Sequence, residues 1–308
     1  MIFIIYGIIF ALQEARIINN YYAGIIVLVT INIILALSLN LITGITGQLC
    51  LGHAGFMALG AYAGAVISTK LELPFIVAIL GGGLLAALIS VIIGIPTLRL
   101  SGDYFAITTL AAGEIIRVLI TNIDYLGGPR GITGIPIKTN FTWAYFTMIL
   151  VAIIIVNLIK SSKGRAMISV RENEIASEAM GINTFNIKLL AFVIAAFFAG
   201  IAGSLYAHYV GFIEPSGFGF VKSTEILTFV VLGGMGSISG SVIGSIILTF
   251  LPELLRSIKD LRMIIYSVAL VLLMIFRPKG IMGTKELSFE PISKFINKLK
   301  RKKEDKVC

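Results

Sequence analysis

The chain has 308 residues, of which 57% are hydrophobic and 13% are charged. A soluble domain carries roughly 25% charged residues, so this composition excludes an ordinary soluble protein and indicates a polytopic membrane protein. The net charge is +9, and ten Lys or Arg residues lie between positions 277 and 306.

Apolar stretches recur along the whole chain and predict its helices. Several are shorter than the ~20 residues that a perpendicular span needs, so tilt or burial among neighbours must accommodate them. We therefore predict an all-α polytopic transmembrane bundle over residues 1–283, followed by a basic tail over residues 284–308. The stretches are 2–12, 23–42, 56–68, 75–98, 104–120, 143–159, 189–209, 226–251 and 263–276.

Residues 39–56 are too apolar for a solvated loop and too rich in glycine for a regular helix. Non-helical backbone at membrane depth is tolerated only where it is buried in protein or lines a water-filled cavity. We expect this segment either to line a translocation pathway or to cap broken helix ends and brace their packing. The predicted pathway residues are Asn40, Gly44, Gly47, Gln48, Gly52, His53, Phe56 and Glu114.

Three other polar side chains lie near or within apolar stretches. Glu114 and Arg117 stand at i, i+3 and can pair with each other, although intramembrane charges also point to function. Arg117 lies near the end of its stretch, where snorkelling is equally consistent. His208 also lies near the end of a stretch, and we expect it at the membrane interface.

The segment 160–188 is polar and charged, and its basic residues place it in the cytoplasm. Residues 174–180 predict a helix of about two turns, with Asn173 as N-cap and Gly181 just after its end. Such a short capped helix suits contact with a soluble motor, whereas a plain solvated connector is the alternative.

The stretch 226–251 contains a glycine-rich centre at residues 233–240, which favours a turn. We predict two short helices folded back at a re-entrant turn that contains Gly233, Gly234 and Gly236. This arrangement gives about ten crossings of a prokaryotic inner membrane, with both termini on its cytoplasmic side. The alternative is one long span and an external tail, which the basic residues after position 276 disfavour.

Enzyme chemistry finds little support. The chain has no phosphate-binding loop, no Cys/His cluster and no Gly-x-Ser-x-Gly elbow, so we expect no metal and no cofactor in this chain. The basic tail is expected to contact anionic membrane lipids and not nucleic acid, because nothing aromatic or folded accompanies it.

Residues 39–62 closely resemble the LNL…G…GQ-x-x-LGHA-x-F…GAY pattern of branched-chain amino-acid ABC permeases. Segments 101–106, 127–136, 164–182, 231–240 and 277–283 agree in order, and the first two of these favour the LivM-type subunit over its LivH-type partner. Cys50 departs from the family pattern, which usually has serine there.

The resemblance implies an importer of two permeases and two ATPases, with ATP and Mg²⁺ bound in the ATPases, fed by an extracytoplasmic amino-acid-binding protein. The 164–182 loop is then expected to dock on the ATPase, with Ile175 and Ala179 as its apolar contact. The expected coupling residues are Gly164, Arg165, Arg171, Glu172, Asn173, Glu174, Ile175, Ala179 and Gly181.

Three other functions stay open from the sequence alone. The alternative within the same family is a permease that carries urea, short amides or other amino acids, which the sequence does not exclude because selectivity in such importers rests largely with the binding protein. A stand-alone secondary transporter or channel belongs to another class, but it would favour paired intramembrane carboxylates that this chain lacks. A membrane-embedded enzyme is the third.

Overall fold

The computed structural model describes residues 19–254, together with residues 6, 7, 267, 268, 271, 275–277 and 280–283. The predicted apolar stretches 2–12 and 263–276 and the basic tail 284–308 lie wholly or largely outside the described residues. Within the described part the protein is almost entirely helical, as the composition predicts.

The helices follow one another in the order that the apolar stretches predict. They are α1 (Asn20–Asn40), α2 (His53–Thr69), α3 (Phe75–Thr97), α4 (Asp103–Asn122), α5 (Phe141–Lys160), α6 (Ser162–Glu172), α7 (Glu174–Ala179), α8 (Thr184–Val210), α9 (Phe220–Gly233) and α10 (Ile238–Leu254). A π-helical turn, Leu41–Ile45, continues α1, and two strands, β1 (Ile132–Thr133) and β2 (Phe212–Ile213), form an antiparallel ribbon.

Five helices of the described part are long and apolar enough to cross a membrane: α1 with its π-turn, α3, α4, α5 and α8. Helix α10 is apolar but shorter, and α2 and α9 have 17 and 14 residues. The chain is thus a multi-pass membrane protein, but these helices alone do not establish the predicted ten crossings.

Small residues bring α2, α3 and α8 into backbone contact at the centre of the bundle. A Cβ added at Gly60 of α2 would lie 2.0 Å from the Gly200 carbonyl oxygen of α8, and one added at Gly203 would lie 2.0 Å from the Met57 carbonyl oxygen. Apolar side chains cannot drive helices together in lipid as they do in water, so close backbone approach supplies the packing energy.

The loops between α2 and α3, between α4 and α5 and between α8 and α9 lie together at one face of the bundle. The ribbon pairs Ile132 with Ile213, and the Lys70 ammonium lies 3.4 Å from the centre of the Tyr125 ring. We call this the ribbon face. The opposite face, which carries α6 and α7, is called the coupling face.

His208 corrects one expectation. It lies in the last turn of α8 but is fully buried among the helices, so it does not face the surroundings as an interfacial side chain would. Its Nε2 atom lies 2.7 Å from the Ser68 hydroxyl and its Nδ1 atom lies 2.7 Å from the Ser204 carbonyl oxygen. Both ring nitrogens are therefore satisfied inside the bundle, which permits burial.

Candidate functional site: a junction at the coupling face

Asn40 joins two places where helices break. It is 1% exposed, its Nδ2 atom donates to the Ser237 carbonyl oxygen over 3.0 Å, and its Oδ1 atom accepts from the Gly236 N–H over 2.8 Å. The first break is the π-turn after α1, and the second is the turn at residues 234–237 between α9 and α10. One side chain thus accepts from the Gly236 N–H and adds a further donor to the Ser237 carbonyl oxygen, which also accepts from the Ser241 N–H of α10.

The second break is the predicted re-entrant turn. Gly233 ends α9, Gly234 and Gly236 follow with φ of +118° and +88°, and Ile238 starts α10. Side chains larger than hydrogen rarely adopt such φ values. Gly44 faces this turn so closely that an added Cβ would lie 2.2 Å from the Gly236 nitrogen, so the two breaks touch through glycine.

Arg171 links the same junction to the coupling face. It lies in the last turn of α6, and its Nη1 atom donates to the Gly44 carbonyl oxygen over 2.8 Å. Its Nη2 atom donates to Glu172 over 2.6 Å, and its stem packs against Gly47, where an added Cβ would meet Cγ at 2.8 Å. We call Asn40, Gly44, Arg171, Gly236 and Ser237 the junction.

Hydrogen bonds fix α7 as the sequence predicts. The Asn173 side chain caps it by accepting from the Ala176 N–H over 3.0 Å, and Gly181 follows its end with φ of +83°. The Ser169 and Ser177 hydroxyls lie 2.6 Å apart and tie α7 to α6. Helix α6 is itself an addition to the sequence prediction, which expected a helix only at residues 174–180.

Two further side-chain pairs hold α7 against the start of α8. The Thr184 hydroxyl donates to Glu178 over 2.6 Å, and Lys188 forms an ion pair with Glu174. Glu174 is therefore engaged within its own chain. These bonds make α6, α7 and the start of α8 one braced unit.

The braced unit presents apolar side chains to its surroundings. Ile175 is 81% exposed, Met180 is 82% exposed, and Ala179 is also exposed. Met180 was missing from the predicted contact, although its place next to Gly181 at the end of the helix could have suggested it. Exposed Arg165 bonds to the Lys160 carbonyl oxygen over 3.0 Å, and buried Gly164 lets α6 turn tightly away from α5.

The predicted pathway residues divide into separate groups. Gln48 and His53 are both buried, the His53 Nε2 atom lies 2.9 Å from the Ser38 hydroxyl, and no described residue pairs with His53 Nδ1 or Gln48 Oε1. Phe56 packs edge-on against Phe192, with ring centres 5.3 Å apart. Gly52 approaches the Thr109 backbone, where an added Cβ would lie 1.9 Å from the carbonyl oxygen.

Glu114 lies apart from the junction and pairs with Arg117 over 2.7 Å, as one sequence interpretation predicted. Its other oxygen accepts from the Phe220 N–H over 3.0 Å. A carboxylate at the first turn of a helix stabilises its free N–H groups, so Glu114 caps α9. No cluster of His, Cys, Asp and Glu among the described residues could hold a metal ion.

Comparisons with known proteins show which family this chain belongs to. Residues 21–276 match the model of the branched-chain amino acid transport system permease component. The chain belongs to this permease family.

Three relatives place it within the family. It is 37% identical over 260 residues to the high-affinity branched-chain amino acid permease LivM of Escherichia coli K12, covering 73% of this chain and 61% of the relative. It is 26% identical over 253 residues to a probable LivM of Methanocaldococcus jannaschii, covering 74% of this chain and 73% of the relative. The match to LivH of E. coli K12, 34% over 129 residues, covers only 41% and 42%. The chain is thus a LivM-type permease.

The chain spans about three fifths of the length of the E. coli and Salmonella typhimurium LivM proteins that it matches. No solved structure matches it.

Replacing Asn40 with Ala tests the junction. The change leaves the part-buried Gly236 N–H without its acceptor, which costs roughly 1–3 kcal/mol, whereas the Ser237 carbonyl oxygen still accepts from Ser241. We expect a lower midpoint of thermal unfolding and faster hydrogen exchange at the Gly236 amide. Asn122→Ala is the control, since the exposed Asn122 side chain bonds within its own helix. Unchanged exchange at Gly236 in Asn40→Ala would refute the junction.

Proposed function

We propose that this chain is the membrane-spanning permease subunit of an ATP-driven importer for the branched-chain amino acids Leu, Ile and Val. It pairs with a LivH-type permease, two ATPase subunits and an extracytoplasmic binding protein, and ATP and Mg²⁺ bind only in the ATPases. The relatives named for branched-chain amino acid transport support the substrate class.

The observation that carries the proposal is the braced unit at the coupling face. A short helix with exposed Ile175 and Met180 offers an apolar contact, and its internal bonds allow it to move without bending. Rigid elements that dock on a closing partner transmit its motion. The coupling face is then the cytoplasmic face, and the ribbon face is external. About ten crossings of a prokaryotic inner membrane place both termini on its cytoplasmic side.

The junction gives the motion a route. When the ATPases close on ATP, α7 moves with them, and Arg171 draws the Gly44 carbonyl along. Asn40 then passes the displacement to the re-entrant turn between α9 and α10. Both helix breaks shift together, because each is held to the other by hydrogen bonds and by contact through glycine.

Ile175→Asp tests the docking surface. An acidic side chain placed in an apolar contact must be desolvated without a partner, so we expect loss of ATPase co-purification and of ATP-dependent uptake, with normal insertion in the membrane. Ile137→Asp is the control for docking, since Ile137 is 69% exposed near the ribbon face and should retain the ATPases. Full uptake by Ile175→Asp would sink the assignment of α7 as the coupling helix.

Arg171→Gln tests the route. The shorter glutamine side chain cannot reach Gly44 and Glu172 at once, so the ATPases should still co-purify and hydrolyse ATP, while uptake per ATP hydrolysed falls by about tenfold. Arg165→Gln is the matched control, because the Arg165 guanidinium bonds to the end of α5 and to neither helix break. If both variants keep the wild-type ratio of uptake to hydrolysis, motion does not pass through Arg171.

A further inference from the structure

A cavity beside the braced unit is lined by two sequence motifs to which the proposed function gives no role. Its volume is about 430 Å³, and it lies between residues 46–49, residues 100–103 and residues 170–174. The first motif contains Gly47 and Gln48, and the second contains Gly102 and Asp103. Cavities of roughly 300–1,000 Å³ are typical of small-molecule sites.

One wall of the cavity offers hydrogen-bond acceptors. Gln48 is only 8% exposed, and its Oε1 atom has no hydrogen-bond partner among the described residues. Asp103 contributes an exposed carboxylate, and none of the ion pairs among the described residues involves it. A buried acceptor is costly unless a donor reaches it. These two groups therefore suit a cationic ligand group with several N–H donors, such as an ammonium.

The N-terminus of α4 offers donors to the same cavity. Gly102 enters the helix with φ of +59° and ψ of −131°, and no side chain caps the first turn. The first N–H groups of a helix lack partners inside it, and together they favour an anion such as a carboxylate. The cations in the described wall, Arg171 and Lys188, are each paired with a carboxylate, so this wall offers no free cation to a strongly anionic ligand.

The remaining lining is mixed, with polar residues such as Thr46, Ser101 and Asn173 beside four apolar ones. Leu49, Leu100, Phe105 and Val170 also contact the cavity. A ligand that fits all these groups carries an ammonium, a carboxylate and an aliphatic side chain.

We propose that this cavity binds a free aliphatic α-amino acid on the coupling side of the membrane. Gln48 and Asp103 receive its ammonium, and the N-terminus of α4 receives its carboxylate. The choice of ligand rests on the proposed function, since the amino acid released on this side is the product of transport.

Occupancy of the cavity has a mechanical consequence. The lining includes the end of α6 and the start of α7, with Arg171, and also the entrance to α4. An amino acid that bridges the walls holds the braced unit in place and opposes its motion. Product that accumulates in the cytoplasm therefore slows further import.

The test uses the complete transporter in proteoliposomes, with ATP inside and the binding protein outside. The initial rate of labelled leucine uptake is measured with the lumen empty or preloaded with unlabelled leucine, with leucinol or with 4-methylpentanoate. We expect leucine to slow uptake, whereas leucinol lacks the carboxylate and 4-methylpentanoate lacks the ammonium, so neither should act.

Asp103→Asn should raise the leucine concentration that halves the rate by about tenfold. Asp124→Asn, which removes an acid at the ribbon face, should not.

Each result decides one claim. If lumenal leucine does not slow the wild type, or slows Asp103→Asn at the same concentration, the cavity is not the site, although active uptake still supports the proposed function. Inhibition by leucinol or 4-methylpentanoate equal to that by leucine would also overturn recognition of both charged groups. If ATP-dependent uptake is absent from the correctly assembled wild type, the proposed function fails, and the ligand assignment fails with it.

Discussion

The structure of the coupling face depends on two hydrogen bonds of the Asn40 side chain, which donates to the Ser237 carbonyl oxygen and accepts from the Gly236 N–H. Helix breaks inside a membrane leave backbone groups that lipid cannot satisfy. Here one buried amide satisfies a donor and an acceptor of a distant turn, and Gly44 allows the two backbones to touch. The breaks therefore stabilise each other, and neither can move independently without exposing unpaired polar groups.

The helices around this junction are tightly packed. Helices α2, α3 and α8 approach to backbone contact through Gly60, Gly200 and Gly203, which leaves little freedom for relative sliding. Helix α8 begins within the braced unit, where Lys188 holds its start to α7. The architecture thus places a braced segment at the coupling face beside a tightly packed core, with Arg171 joining that segment to the breaks in α1 and between α9 and α10.

Much of this architecture is readable from local sequence rules. The glycine-rich composition of 39–56 and 233–240 predicts the two helix breaks, and Asn173 and Gly181 predict the limits of α7 to within one residue. Each of these features depends on neighbouring residues, for which backbone preferences and capping rules are sufficient. Helix α6 was missed because its sequence is polar, and propensity alone is a weak guide.

The contacts that join the elements could not be predicted in the same way. Arg171 and Gly44 are 127 residues apart, and Glu114 and Phe220 are 106 residues apart; no local pattern encodes such pairs. The burial of His208 could not be foreseen either, because it depends on Ser68, which lies 140 residues away. Within residues 39–56, Asn40 braces two helix breaks and Gln48 lines the cavity beside α6, while the translocation pathway itself stays a prediction.

The most direct test of the account measures whether the braced unit and the re-entrant turn move as one body. Spin labels at Lys163→Cys in α6 and Met235→Cys in the turn report one distance by pulsed electron resonance, and labels at Lys163→Cys and Tyr125→Cys report the distance to the ribbon face. Both pairs are measured in the assembled transporter, with native cysteines removed, before and after ATP binding. The account predicts a constant first distance and a changed second distance. A first distance that changes on ATP binding while the second stays constant would contradict it.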